Sequence, residues 1–235
     1  MDVVESELAR NKNFKLVNRV CGDRIVVHCV PGAGKSTIIR RIISGDTRFR
    51  AYTLGVADPA SLSGQTIRPY CELAERKDNF KFTIIDEYIL IKGEIPTACA
   101  LFGDNLQYRG EHQLIANYIC TFSYRVGKAT CELLRNLHFD IQSEKEDICE
   151  VHKFTEFEPV GKLIAIGQEA LTLLKRHKAT FFTVEQVRGA EFDTVTLLLS
   201  EEDISDFREE FYLCATRHTR ELHILTPDAT ITASR

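Results

Sequence analysis

The amino-acid sequence predicts an α/β protein with a mostly parallel sheet, and three observations carry that prediction. Apolar runs of strand length alternate with segments of helical spacing from residue 24 to residue 225. Two of those runs deliver acids at their C-terminal ends, Asp86-Glu87 after residues 80–85 and Gly103-Asp104 after residues 98–102. The run Ile25-Val26-Val27 leads through a glycine loop, Pro31-Gly32-Ala33-Gly34, and Lys35-Ser36-Thr37 into the helix-like Ile38-Ile39-Arg40-Arg41-Ile42-Ile43.

Taken in order, residues 1–20 are polar and basic with helical spacing at Val4 and Leu8, which suits a short leading helix or a flexible arm. Residues 24–29 form the first strand. Strand, glycine loop, Lys-Ser and helix in that order is the phosphate-binding pattern. Gly32 and Gly34 let the backbone curl so that successive N–H groups face a phosphate. A helix starting near Ser36 adds its positive dipole end. Lys35 reaches the outer phosphates, and the Ser36 hydroxyl suits Mg²⁺. Cys29 stands where the pattern has its first glycine, and its side chain is expected to crowd the loop. Gly45-Asp46 stops the helix.

Residues 50–54 are a second strand, Pro59 and Gly64 mark the following loop, and residues 68–77 fit a helix. The strand over 80–85 ends in Asp86 and Glu87. The first acid suits a metal, the second an attacking water. After residues 98–102, Gly103-Asp104-Asn105-Leu106-Gln107 can bring the Gln107 amide near a terminal phosphate; alone it would equally be a plain turn. Residues 109–118 read as a connector, 118–122 as an apolar run and 127–139 as a helix. The acidic stretch 140–158 is expected to be loop with a short strand. Strands follow at 162–166, 181–184, 195–199 and 222–225, and helices at 169–177 and 205–216, the latter amphipathic. The tail from Pro227 should fray.

Composition bounds the function. Apolar residues make up 44% and charged ones 27%, as in a folded domain, and 235 residues suffice for one large domain or two small ones. The net charge of −4 does not announce a nucleic-acid binder. Residues 10–50, however, hold ten Lys and Arg against Asp23 and Asp46. That basic stretch fits a polyanion partner and equally an ordinary solvated surface. Eight cysteines without a Cys-x-x-Cys pair predict free thiols in a reducing cytosol. Cys131, His138, Cys149 and His152 match no common zinc spacing. No apolar run approaches membrane-span length.

Seven motifs now stand in order: GAGKS at 32–36, TLGVAD at 53–58, IIDEY at 84–88, FGDNLQY at 102–108, TFSYR at 121–125, QVRGAEF at 186–192 and YLCATRHTR at 212–220. Together they resemble the superfamily 1 RNA helicases of positive-strand RNA viruses over residues 24–225. A free-standing core of this length resembles, among them, the triple gene block protein 1 family of potexvirus- and carlavirus-like plant viruses. The resemblance implies two RecA-like lobes, residues 1–115 and 116–235, with ATP and Mg²⁺ between them. Gly32, Ala33, Gly34, Lys35, Ser36 and Thr37 would cradle the nucleotide. Ser36 and Asp86 would hold the metal, Glu87 the water, and Gln107 would sense the γ-phosphate. Arg125 and Arg217 would act as cationic clamps, with Arg220 a weaker candidate nearby. Gly189 and Glu191 would line the nucleotide, and segments 54–57 and 183–188 would touch RNA.

The resemblance further implies single-stranded viral RNA, a second copy of the chain, other viral movement proteins and coat protein as partners. It implies suppression of host RNA silencing and a place in the host cytoplasm, at plasmodesmata or endoplasmic-reticulum bodies through those partners. Two other classes remain. One is a scaffold and silencing suppressor that needs no hydrolysis, or a fragment of a viral replicase. The other is a small nucleotide kinase, which would need neither the Gly-Asp-x-x-Gln nor the Thr-Arg motif.

Overall fold

The computed structural model describes residues 2–20, 22–62, 64–75, 82–108, 110–112 and 114–233. Cys21 and the predicted stretches at 76–77 and 80–81 lie outside the described residues. The chain divides into two compact units, Met1–Phe122 and Ser123–Arg235.

In the first unit the elements run α1 (Asp2–Ala9), β1 (Lys15–Leu16), β2 (Ile25–Cys29), α2 (Lys35–Gly45), β3 (Phe49–Thr53), β4 (Ile67–Pro69), α3 (Cys71–Glu75), β5 (Phe82–Asp86), β6 (Ala100–Gly103) and β7 (Tyr118–Cys120). The sheet order is β1-β7-β2-β6-β5-β3-β4, parallel except for β1. Both faces of a parallel sheet are covered, so its strands are apolar throughout; all five residues of β2 are buried. α2 buries Ile38, Ile39, Ile42 and Ile43, the i, i+4 stripe of its sequence. Val4 and Leu8 fix α1 against α2, so the leading segment is a packed helix, not an arm.

β2 is the point where the strand order turns: β6 lies on one side and β7 on the other. Ligands of open α/β sheets bind at the C-terminal ends of the strands at such a point. The expected boundary at 115/116 is corrected here. It would cut β7 from the sheet, whereas buried Asn117 ties β7 to β2, accepting from the Val26 N–H through Oδ1 (2.8 Å) and donating its own N–H to the Val26 carbonyl (2.8 Å).

The second unit holds α4 (Lys128–Asn136), β8 (Ile148–Lys153), β9 (Lys162–Ile166), α5 (Gln168–Arg176), β10 (Phe192–Leu199), α6 (Arg208–Ala215) and β11 (His218–Thr226). Its all-parallel sheet runs β8-β11-β10-β9. On one face Ala165, Leu198 and Leu225 pack with Ala170 and Leu174 of α5. Residues 181–184 are not a strand. Phe182 makes only an isolated bridge to Ile164, and a 3-10 turn follows at Glu185–Val187. The predicted amphipathic helix over 205–216 is a 3-10 turn followed by α6, whose Phe211–Ala215 end is buried all round. The tail does not fray before Thr232, which donates its N–H to the Glu202 carbonyl and accepts from the Ile204 N–H. Among the described residues no helix is long and apolar enough to cross a membrane.

Candidate functional site

The C-terminal ends of β2, β6, β5 and β3 bring the first unit's predicted residues together. Gly32 and Gly34 have φ of 73° and 90°, the left-handed region that glycine enters without strain. Gly34 caps α2, so the N–H groups of Lys35, Ser36 and Thr37 are the first-turn donors that helix geometry leaves without carbonyl partners. Ala33 is buried beneath the loop, and Thr37 is exposed. Cys29 is the last residue of β2, opposite Cys120 on β7, and is buried close enough to the site to feel Lys35, Asp86 and Asp104. Burial pushes its thiol well above the usual range, against the pull of Lys35, which disfavours the thiolate.

Lys35 Nζ lies 3.2 Å from Glu87 Oε1. Burial works against the ammonium, but Glu87, with Cys29, Asp86 and Asp104 behind it, holds its pKa above the ordinary lysine value. Glu87 has φ of 55°, uncommon for a residue with a side chain and a form of strain found at functional sites. Asp86 Oδ2 accepts from Thr53 Oγ1 at 3.5 Å, whereas Asp86 Oδ1 and Glu87 Oε2 are buried with no hydrogen-bond partner. Burial first, and the Glu87 carboxylate second, push Asp86 up to about 7. Asp104 accepts from the Leu106 N–H (3.0 Å) and from Gln107 Nε2 (2.7 Å), and burial pushes it up to about 6. Gly103 is small for a packing reason: a Cβ there would lie 3.0 Å from the Ile89 side chain. Orphaned carboxylate oxygens crowded at one strand edge are the donor set a hard cation asks for, so these residues fit Mg²⁺.

In the second unit Arg125 is ion-paired with Glu191, so two predicted residues meet there. Gly189, two residues before Glu191, has φ of 72°. Arg217 is buried and donates from Nε to the Leu213 carbonyl at 2.9 Å, folded back on the end of α6. Its neighbour His218 sits wholly buried with Asp147: Nε2 is 3.0 Å from Asp147 Oδ2, and Nδ1 donates to the Ala215 carbonyl at 2.9 Å. Asp147 also accepts from the Gly127 and Ala129 N–H groups at the start of α4. Sequence reasoning missed Asp147, which carries no motif. It also missed that Asp58 grips Arg40 of α2 through both carboxylate oxygens (3.1 and 2.6 Å).

The model of the viral superfamily 1 RNA helicase core domain matches residues 25–226. The chain belongs to that family. The helicase-core chain is 43% identical over 235 residues to the movement and silencing protein TGBp1 of Poplar mosaic virus, covering 100% of both. It is 40% identical over 211 residues to the TGBp1 of Chrysanthemum virus B, covering 89% of this chain and 90% of that one. It therefore sits among the potexvirus and carlavirus TGBp1 proteins. Among solved structures it resembles the arterivirus nonstructural protein 10 helicase in fold, with a TM-score of 0.56 at 18% identity. That match covers 97% of this chain and 56% of the arterivirus protein, so the helicase-core chain spans little more than half of that helicase.

Proposed function

We propose that this helicase-core chain hydrolyses ATP, binds single-stranded viral RNA, moves it between plant cells through plasmodesmata, and suppresses host RNA silencing. The observation that carries the reading is the 3.2 Å Lys35–Glu87 pair beside the orphaned Asp86 carboxylate, at the mouth of a glycine loop that opens a helix. The TGBp1 relatives, named for movement and silencing, support the biological half of it.

In this reading the loop N–H groups and Lys35 bind the phosphates. Glu87 exchanges its contact with Lys35 for the attacking water, and its strained backbone holds the carboxylate in place for that proton. Ser36 and Asp86 would hold Mg²⁺, which would supply positive charge to the phosphates. Gln107, kept in register by Asp104, senses the terminal phosphate. Arg125 and Arg217 are the second unit's candidates for stabilising developing charge, and Gly189 and Glu191 its candidates for lining the nucleotide. Self-association, the other viral movement proteins and coat protein would then bring the RNA cargo to plasmodesmata from the cytoplasm.

The test is steady-state ATP hydrolysis with and without single-stranded RNA, beside Lys35→Ala. We expect RNA-stimulated turnover in the wild type and a loss of about 100-fold or more in the variant, the size expected for a group acting directly on the transferred phosphoryl. Comparable turnover in a well-folded Lys35→Ala protein would refute the site. RNA binding without any turnover would leave a scaffold and silencing suppressor instead.

A further inference from the structure

β8 is an edge strand, and its pairing with β11 brings together a group of side chains that the nucleotide chemistry does not use. Glu150 and His152 are two residues apart on β8, so they share a face of the sheet. Glu150 is directly opposite His223 on β11. His152 Nε2 and His223 Nδ1 are 3.3 Å apart, Glu150 Oε2 is 3.3 Å from the first of them and 3.6 Å from the second. We propose that these three atoms form a binding site for a zinc-like divalent transition-metal ion that fastens the edge strand to β11.

The argument is geometric. Zinc bonds of ~2.0–2.2 Å to nitrogen and oxygen in a tetrahedron separate the donor atoms by about 3.3–3.6 Å. The triangle of Nε2, Nδ1 and Oε2 has those edges, so one ion fits all three without any element moving. Two imidazoles and one carboxylate select a borderline metal over Mg²⁺ or Ca²⁺, which prefer all-oxygen sites. The surroundings suit ligands. Phe157 stacks on His152 at 4.0 Å and on His223 at 4.9 Å, fixing both ring planes. Glu221 Oε2, which accepts from Thr194 Oγ1 at 3.2 Å, lies 3.8 Å from His223 Nε2. The Glu150 side chain is 54% exposed, so water completes the coordination. A ligand from each of two neighbouring strands makes the ion a cross-strand clip that binds the folded unit only.

Co²⁺ titration of the full chain tests the site. The expected result is one ion per chain with the intense visible absorption of a four-coordinate N/O site, displaced by Zn²⁺. Glu150→Gln should weaken binding by about 10-fold or more, at least what the loss of an outer-shell partner costs. The wild type should gain thermal stability with rising Zn²⁺, and Glu150→Gln should not. His152→Asn should abolish the signal; should it fold poorly, Glu150→Gln still decides, because that side chain faces solvent. A sulfur-to-cobalt charge-transfer band that survives Glu150→Gln, or no four-coordinate spectrum at all, would overturn the proposal.

Discussion

At the scale of single residues, the candidate nucleotide site is held in an uncomfortable state. Asp86 has one oxygen without a partner and a second carboxylate beside it, and its pKa near 7 is far above the carboxylate value of 3.8. A group whose folded pKa is raised binds more protons folded than unfolded, so stability falls as pH rises between those two values. Asp86→Asn should therefore stabilise the nucleotide-free protein by about 1–2 kcal/mol at pH 8 while removing Mg²⁺-dependent hydrolysis. Its advantage should vanish near pH 4. Urea unfolding at the two pH values checks this, and an Asn variant less stable at pH 8 would show that Asp86 is held by contacts, not merely tolerated. The residues that converge here were legible in the sequence because each sits at a strand end next to a marker, a glycine or a second acid. The Lys35–Glu87 pairing was not, because the two are 52 positions apart and meet only when β2 and β5 lie in one sheet.

At the scale of elements, the YLCATRHTR segment is anchored. His218 begins β11, and Asp147 clamps it while accepting two N–H groups from the start of α4. Gly127 leaves room for that clamp, since a Cβ there would lie 2.5 Å from the Asp147 carboxylate oxygen. Asp147→Asn should cost about 1–3 kcal/mol at neutral pH, the scale of leaving buried donors without their acceptor. Burial opposes the Asp147 charge, but the His218 contact and the helix N–H groups hold its pKa below 3.8. Its contribution is thus full above that value and is lost as pH falls through the lowered one. The variant and wild type should then converge in acid, and a difference under about 0.5 kcal/mol at pH 7 would refute the anchor. None of this was legible: a strand was expected to begin at residue 222, because His218, Thr219, Arg220 and Glu221 are polar. The edge strand β8 was half-legible for the same reason, its residues being nowhere fully buried.

At the scale of the whole molecule, the basic excess of residues 10–50 is partly consumed by structure. Arg10 pairs with Glu7, Lys35 with Glu87, Arg40 with Asp58 and Arg48 with Asp46. Lys12, Lys15, Arg19 and Arg41 stay exposed for a polyanion. With three to five phosphate contacts, binding of single-stranded RNA should weaken about 10–100-fold between 50 and 200 mM salt. It should depend little on base sequence. A flat salt dependence in a filter-binding or anisotropy titration would remove the backbone-contact reading.

By itself the sequence determined the α/β class, the mostly parallel character of the sheet and the glycine turn between β2 and α2. Those are local properties, written in residue spacing and in the glycines a tight turn requires. Only the tertiary structure decided that β7 belongs to the first unit, that Arg125 meets Glu191, that Asp147 holds His218, and that Glu150, His152 and His223 converge. Each of these depends on which strands become neighbours and in what register. Burial then sets the energetic weight of the contact, and neither register nor burial is carried by a short stretch of chain.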